Sequence, residues 1–243
     1  MKKIFALLAI ASMMAVACGK DNNDPKPDNG EYVKPIEIDG DFSDWAKLDS
    51  KKVAASYAVS DEENPISALT SVKVYADAQY VFIYFKFDKD QIEIGSEEVP
   101  FHIYINGDND ESTGGFDNVQ YKGSSTDVMM EGFLSDGTDF ASYDPSVSIW
   151  VEPDPNDKDA NPEWSWSQIL PMGSGVCTGA GKDNEYEIAF VREMYPVDTL
   201  SDEFTIGFDI QLGWESVGIL PNAACTADNA SGLAPMLKVV TVK

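Results

Sequence analysis

Oxygen-bearing side chains crowd one stretch of this chain, Asn106-Gly107-Asp108-Asn109-Asp110-Glu111-Ser112-Thr113-Gly114-Gly115. Asp108, Asp110 and Ser112 fall at alternate positions and flexible glycines follow, a pattern that could wrap a hard cation such as calcium. It is no EF-hand, because the twelfth place from Asp108 is Val119 rather than a glutamate. The other reading is a solvated acidic hairpin loop. A second constellation is aromatic. Trp164 and Trp166 stand two apart, so in an extended chain their indoles share one face, and Trp150 precedes them beyond a polar loop. Such rings could form a stacking platform for a sugar, or they could cover the open edge of a sheet. Acid–base chemistry has little to work with: His102 is the single histidine, on the outward phase of its strand, and no Gly-x-Ser-x-Gly elbow, His-Glu-x-x-His or phosphate loop occurs.

Cys18 has a different setting. Lys2 and Lys3 precede an uncharged apolar run over 4–16, and the small residues Ala15 and Ala17 lead into the cysteine. That run is too short to span a bilayer. Ala15-Val16-Ala17-Cys18 resembles a lipobox, with Ala15 where leucine is usual, so 1–17 is expected to be a signal peptide. The resemblance implies a lipid thioether on Cys18; ordinary Ala-x-Ala cleavage leaving a free thiol is the alternative. Residues 18–35, rich in Asp, Asn, Pro and Lys without an apolar period, read as a lipidated flexible tether. Gly19-Lys20-Asp21-Asn22-Asn23-Asp24 is similar to the acidic tract of surface lipoproteins in the Bacteroidetes group, which implies an outer-membrane protein exposed at the cell surface.

The formal net charge of −25 sets the partners. A field this negative repels phosphate backbones, so no nucleic-acid partner is expected, and it favours divalent cations and neutral ligands. Beyond Cys18 only Cys177 and Cys225 remain, both in Gly/Ala/Thr-rich segments read as loops. They could pair in an oxidising compartment or stay buried thiols.

What must position these residues is a set of strands. Val81, Ile83, Phe85 and Phe87 alternate with Tyr80, Phe82, Tyr84 and Lys86, a strand apolar on both faces and so central in its sheet. Phe101-Ile103-Ile105 and Phe204-Ile206-Phe208-Ile210-Leu212 alternate with polar or small partners, as half-buried strands do. Shorter strands are predicted around 53–59, 72–76, 127–133, 147–151, 186–190 and 238–242. No long amphipathic helix is present. The expected fold is all-β, an antiparallel β-sandwich filling 36–243 as one domain.

Ile36-Glu37-Ile38-Asp39-Gly40-Asp41-Phe42-Ser43-Asp44-Trp45 resembles the opening of family 9 carbohydrate-binding modules and their DOMON-like relatives, an Ile-Asp-Gly turn followed by Asp-Trp. Val72-Lys73-Val74 with Asp77 and 80–85, then Tyr186-Glu187-Ile188-Ala189-Phe190, then Trp214 with Gly218 and Pro221, resemble later blocks of that family in order. The middle, 136–183, has no counterpart. Read physically, Gly40 supplies a positive φ, Asp39 binds backbone amides, and Trp45 packs against the end of the sandwich, as Trp214 also should. Asp127-Val128-Met129-Met130-Glu131-Gly132 resembles a strand following the acidic loop in related Bacteroidetes lipoproteins, so Glu131 or Asp127 could complete a calcium shell.

The resemblance implies a non-catalytic protein that binds a carbohydrate, capturing glycan for uptake or degradation beside outer-membrane uptake proteins. The rival class is an adhesin or a subunit of an outer-membrane complex. Two remoter readings are a glycoside hydrolase built on paired carboxylates and a haem-binding DOMON domain using His102 with Met129 or Met130.

Overall fold

Alternation of apolar and polar side chains along short strands yields two antiparallel sheets packed face to face. The computed structural model describes residues 32–60, 67–92, 99–115, 119–134, 144–152, 165–193, 200–213 and 215–243. In chain order the strands are β1 (Ala54–Tyr57), β2 (Leu69–Ala76), β3 (Tyr80–Phe87), β4 (Val99–Asn106), β5 (Val128–Leu134), β6 (Ser146–Val151), β7 (Ser165–Leu170), β8 (Cys177–Lys182), β9 (Glu185–Val191), β10 (Glu203–Leu212), β11 (Glu215–Leu220) and β12 (Leu237–Val240). One sheet has the order β1-β2-β3-β9-β8. The other runs β11-β10-β4-β5-β6-β7, with β12 also pairing β10. The expected all-β sandwich is the fold. The strand read as central, β3, is the middle strand of its sheet.

Between the sheets lies a core of Val72, Val74, Ile83 and Phe85 from one side and Phe101, Ile103, Met130, Phe204 and Phe208 from the other, all fully buried. Phe85 and Phe208 meet edge to face with ring centroids 5.5 Å apart, tying the middle of the first sheet to β10 of the second. Gly218 is required where β11 crosses β2, since a Cβ there would lie 2.6 Å from the Leu69 amide nitrogen.

Two segments depart from the expectation. Cys177, read as a loop residue, opens β8 and is buried, while Cys225 is half-buried in a loop, and the two are not joined to each other. The segment before β1 carries two single 3-10 turns, Phe42–Ala46 and Ser50–Lys52. They lie on the outer face of the first sheet, where Ile36 and Trp45 bury against Tyr75, Phe82, Tyr84 and Ala189. Trp45 thus packs on a sheet face rather than at the end of the sandwich. Its indole N–H donates to Glu187 Oε2 at 3.0 Å, while the Asp39 and Gly40 amides donate to Glu187 Oε1 at 3.1 and 3.0 Å. Gly40 has φ +78°, which the turn needs to aim both amides at one oxygen.

Candidate functional site

Period-two alternation sends the other half of each strand of the second sheet outward, and pairing register arranges those side chains in rows. One row is Asp209, His102, Glu131 and Ser146, from β10, β4, β5 and β6. The next is Gly207, Tyr104, Met129, Ser148 and Gln168, reaching β7. Near the far end, Trp150 pairs with Trp166 across β6 and β7. This outer face gathers most of the sequence's chemically capable residues outside the acidic loop.

The loop between β4 and β5 folds back over part of the face. Tyr121 seats on Gly207, where a Cβ would lie 2.4 Å from the ring, and its hydroxyl donates to the Leu220 carbonyl at 3.2 Å. Gly115 lies over Trp150, a Cβ there falling 2.3 Å from the indole nitrogen. Tyr104, Tyr121 and Met236 form a small apolar cluster against which Met129, Trp166 and Ile219 pack.

Beside that cluster sits a polar network centred on His102. Its Nε2 is 2.7 Å from Glu131 Oε2, and its Nδ1 is 2.9 Å from Gln211 Nε2 and 3.8 Å from Asp209 Oδ2. Asp209 is fully buried, and its Oδ2 accepts from Gln120 Nε2 at 3.0 Å, Gln211 Nε2 at 2.9 Å and Ser216 Oγ at 2.9 Å. Its Oδ1 and the buried Gln120 Oε1 both have no donor among the described residues. The His102 side chain is 12% exposed and Glu131 40%. The histidine therefore points outward, as its strand phase indicates, yet is largely covered rather than facing solvent. Burial alone would pull the imidazole down, but the hydrogen bonds and charges of Asp209 and Glu131 outweigh it and hold the group above its ordinary value. The Gln211 amide, which donates to both Asp209 and Nδ1, suits the neutral ring with its proton on Nε2, given to Glu131. A second proton on Nδ1 would set N–H against N–H and require that amide to turn.

The acidic loop is built from local bonds. The Asp110 amide donates to Asp108 Oδ1 at 2.9 Å, the Ser112 amide and hydroxyl donate to Asp110 Oδ1 at 2.8 and 2.7 Å, and Thr113 Oγ1 donates to Asp108 Oδ2 at 2.9 Å. Asp127 joins them across the hairpin, accepting from the Gly107 amide at 2.8 Å. Burial, with the added charge of Asp108, pushes Asp127 up to about 6 against the Gly107 hydrogen bond. Glu131, the other carboxylate considered for a calcium shell, is placed elsewhere: four positions along β5 it bonds to His102, so the structure brings Asp127 and not Glu131 to the loop. Among the described residues no group of three or more His, Cys, Asp or Glu side chains is arranged to hold a metal ion.

Of the tryptophans, Trp164 and Trp214 lie outside the described residues, as does Cys18. Trp150 and Trp166 stand together with ring centroids 5.1 Å apart and planes at 71°, both half-buried. Met129 shares the outer face with His102, whereas Met130 is buried in the core on the opposite side, so the two methionines weighed as haem ligands are not equivalent. Both ring nitrogens of His102 already have hydrogen-bond partners.

Sequence reasoning passed over Asp209, Gln211, Gln120, Ser216 and Tyr121. A signal existed for two: in the Phe204-to-Leu212 alternation, Asp209 and Gln211 occupy the outward phase of a strand otherwise built for burial. No protein-family model matches this chain, and no curated protein shows significant similarity to it.

Proposed function

We propose that this chain is a non-catalytic, lipid-anchored surface protein that captures a carbohydrate on the outer face of its second sheet. The observation that carries this reading is the shared face itself, where paired indoles, Trp150 and Trp166, stand in register with rows of hydroxyl, amide and carboxylate side chains. A pyranose presents an apolar face to stack and a rim of hydroxyls to bond, and these two kinds of group are what the rows supply side by side. Strong negative charge suits a neutral ligand and a divalent cation. In the same reading Asp108, Asp110 and Ser112 hold calcium with Asp127, and Cys18 carries the membrane anchor for work beside outer-membrane uptake proteins. Trp164 remains part of the proposed platform on sequence grounds.

A glycan array on the purified domain, followed by calorimetry, tests the reading. Trp166→Ala is expected to weaken the selected glycan several-fold, about 1 kcal/mol of stacking, with little change in the melting curve. Absence of any glycan binding would leave the protein-interaction reading, an adhesin or complex subunit, in its place. Added calcium is expected to raise the melting temperature by mass action, and Asp108→Ala with Asp110→Ala to remove that rise; a rise that survives both substitutions moves the cation elsewhere.

A further inference from the structure

The Trp150–Trp166 pair and the His102–Glu131 pair stand at different heights on one face. Trp150 donates its amide to the Asp127 carbonyl, while Glu131 pairs with Ser146, four residues back along the same strand. At roughly 3.3 Å per residue the two pairs are about 13 Å apart along the strands. The ground between them is the row Met129, Ser148 and Gln168: a half-buried thioether, a buried hydroxyl and an exposed amide. A single ring stacked on the indoles would not reach the carboxylate.

The carboxylate is prepared for a partner. His102 fixes Glu131 Oε2 at 2.7 Å, and the ring behind it is held by Gln211 and by the buried Asp209. Among the described residues the bond to His102 falls on Glu131 Oε2 and none falls on Oε1, and the side chain is 40% exposed. The surrounding network has more acceptors than donors, since Asp209 Oδ1 and Gln120 Oε1 are buried without a donor among the described residues. Those two atoms lie behind the surface; the acceptor that a ligand meets is Glu131, and it suits a ligand that brings donors and no negative charge.

Resting on the glycan reading, we propose that Glu131 is the hydroxyl-reading end of an extended binding face, with His102 as its positioning residue. The ligand class that fits is an uncharged oligosaccharide longer than a disaccharide, lying along the strands from the indole pair to the carboxylate. Anionic glycans are disfavoured there by Glu131 and by the charge of the whole chain. Fixing one carboxylate oxygen through an imidazole leaves the other with little freedom to lose when a hydroxyl binds.

Calorimetry with neutral gluco-, manno- and xylo-oligosaccharides of two to six units, chosen by the array, reads both ends of the face separately. In the wild type, affinity should climb beyond the disaccharide. Glu131→Ala should cost the longer ligands about tenfold while leaving the disaccharide unchanged. His102→Leu should do the same, and His102→Gln, which keeps a donor facing Glu131, should restore much of the length dependence. A merely structural histidine would weaken every length alike and would not respond to the glutamine. Melting curves show that each variant is folded, and Glu131→Gln serves if the alanine variant is not. An affinity that levels off at the disaccharide, or a length dependence that survives Glu131→Ala, overturns this inference and leaves glycan capture standing. Failure of every probe to bind the wild type overturns both.

Discussion

Each sheet of this sandwich turns an outer face carrying one fully buried carboxylate, and the two are treated in opposite ways. On the first sheet Glu187 receives two backbone amides and the Trp45 indole, sharing them between both oxygens, beneath a cap of apolar residues. On the second, Asp209 takes three side-chain donors on one oxygen and none on the other, beside a half-open pair of titratable groups. A buried acid whose donors come from the backbone is part of the fold, since those donors cannot swing away. One whose donors are amide and hydroxyl side chains can exchange partners behind the surface, while Glu131 in front of it stays held by His102.

The sharpest way to break this contrast is Glu187→Gln. The amide offers one acceptor oxygen to three fixed N–H donors and sets its own N–H against one of them, so a loss of about 2–3 kcal/mol is expected. In a domain of this size that is a fall in melting temperature of about 8 °C by calorimetry. A fall of a degree or two would mean the cap is held by apolar packing alone.

The next effect is pH dependence, to which both faces contribute. Glu187, Asp127 and His102 all have folded pKa values raised above their ordinary ones, with burial the first cause for the two acids. Each therefore contributes stability below its unfolded pKa that disappears as pH rises through its folded value. For Asp127 that window runs from 3.8 to about 6, for Glu187 it extends upward from 4.5, and for His102 upward from 6.5. Asp44, Asp110 and Asp202 are shifted the other way, but they are at the surface and weigh little. The protein should melt about 5 °C higher at pH 5 than at pH 8, and Asp127→Asn should narrow that gap. A higher melting temperature at pH 8 would refute the assignment.

The smallest effect sharpens the contrast most. Asp209→Asn keeps an acceptor for its side-chain donors, and those donors can turn, so a cost of only about 1 kcal/mol is expected. The His102 titration, followed by NMR, should move down once the neighbouring charge is gone. If Asp209→Asn costs as much as Glu187→Gln, the two acids are equivalent and the second face is as rigid as the first.

Much of the architecture could be read from alternation. Tyr80–Phe87, apolar on both phases, belongs in the middle of a sheet and is there, because one phase faces the core and the other faces the cap. Cys177–Lys182 could not be read so. Its Cys-Thr-Gly-Ala-Gly-Lys run lacks bulky residues because its neighbour supplies the bulk: a Cβ on Gly181 would lie 2.1 Å from the Tyr186 ring. The opening motif was legible as a turn, but its partner was not, for Glu187 lies 147 positions beyond Gly40. The polar network was the least legible part. Its members come from β4, β5, β10, β11 and the loop over the face, and only register brings them together.

The cap on the first sheet also has a mechanical meaning. Under the proposed N-terminal anchor, a pull on a captured ligand would load the sandwich through residues 36–53 before it reached β1. The three N–H groups bound by Glu187 are loaded together there, so they resist as a set and yield as a set. When they yield, the sheets need not open; the segment peels away and lengthens the link by about 60 Å at roughly 3.4 Å per residue. With the N-terminal anchor proposed above, the Ile-Asp-Gly turn and its glutamate would act as a fuse, absorbing a jolt before it reached the strands.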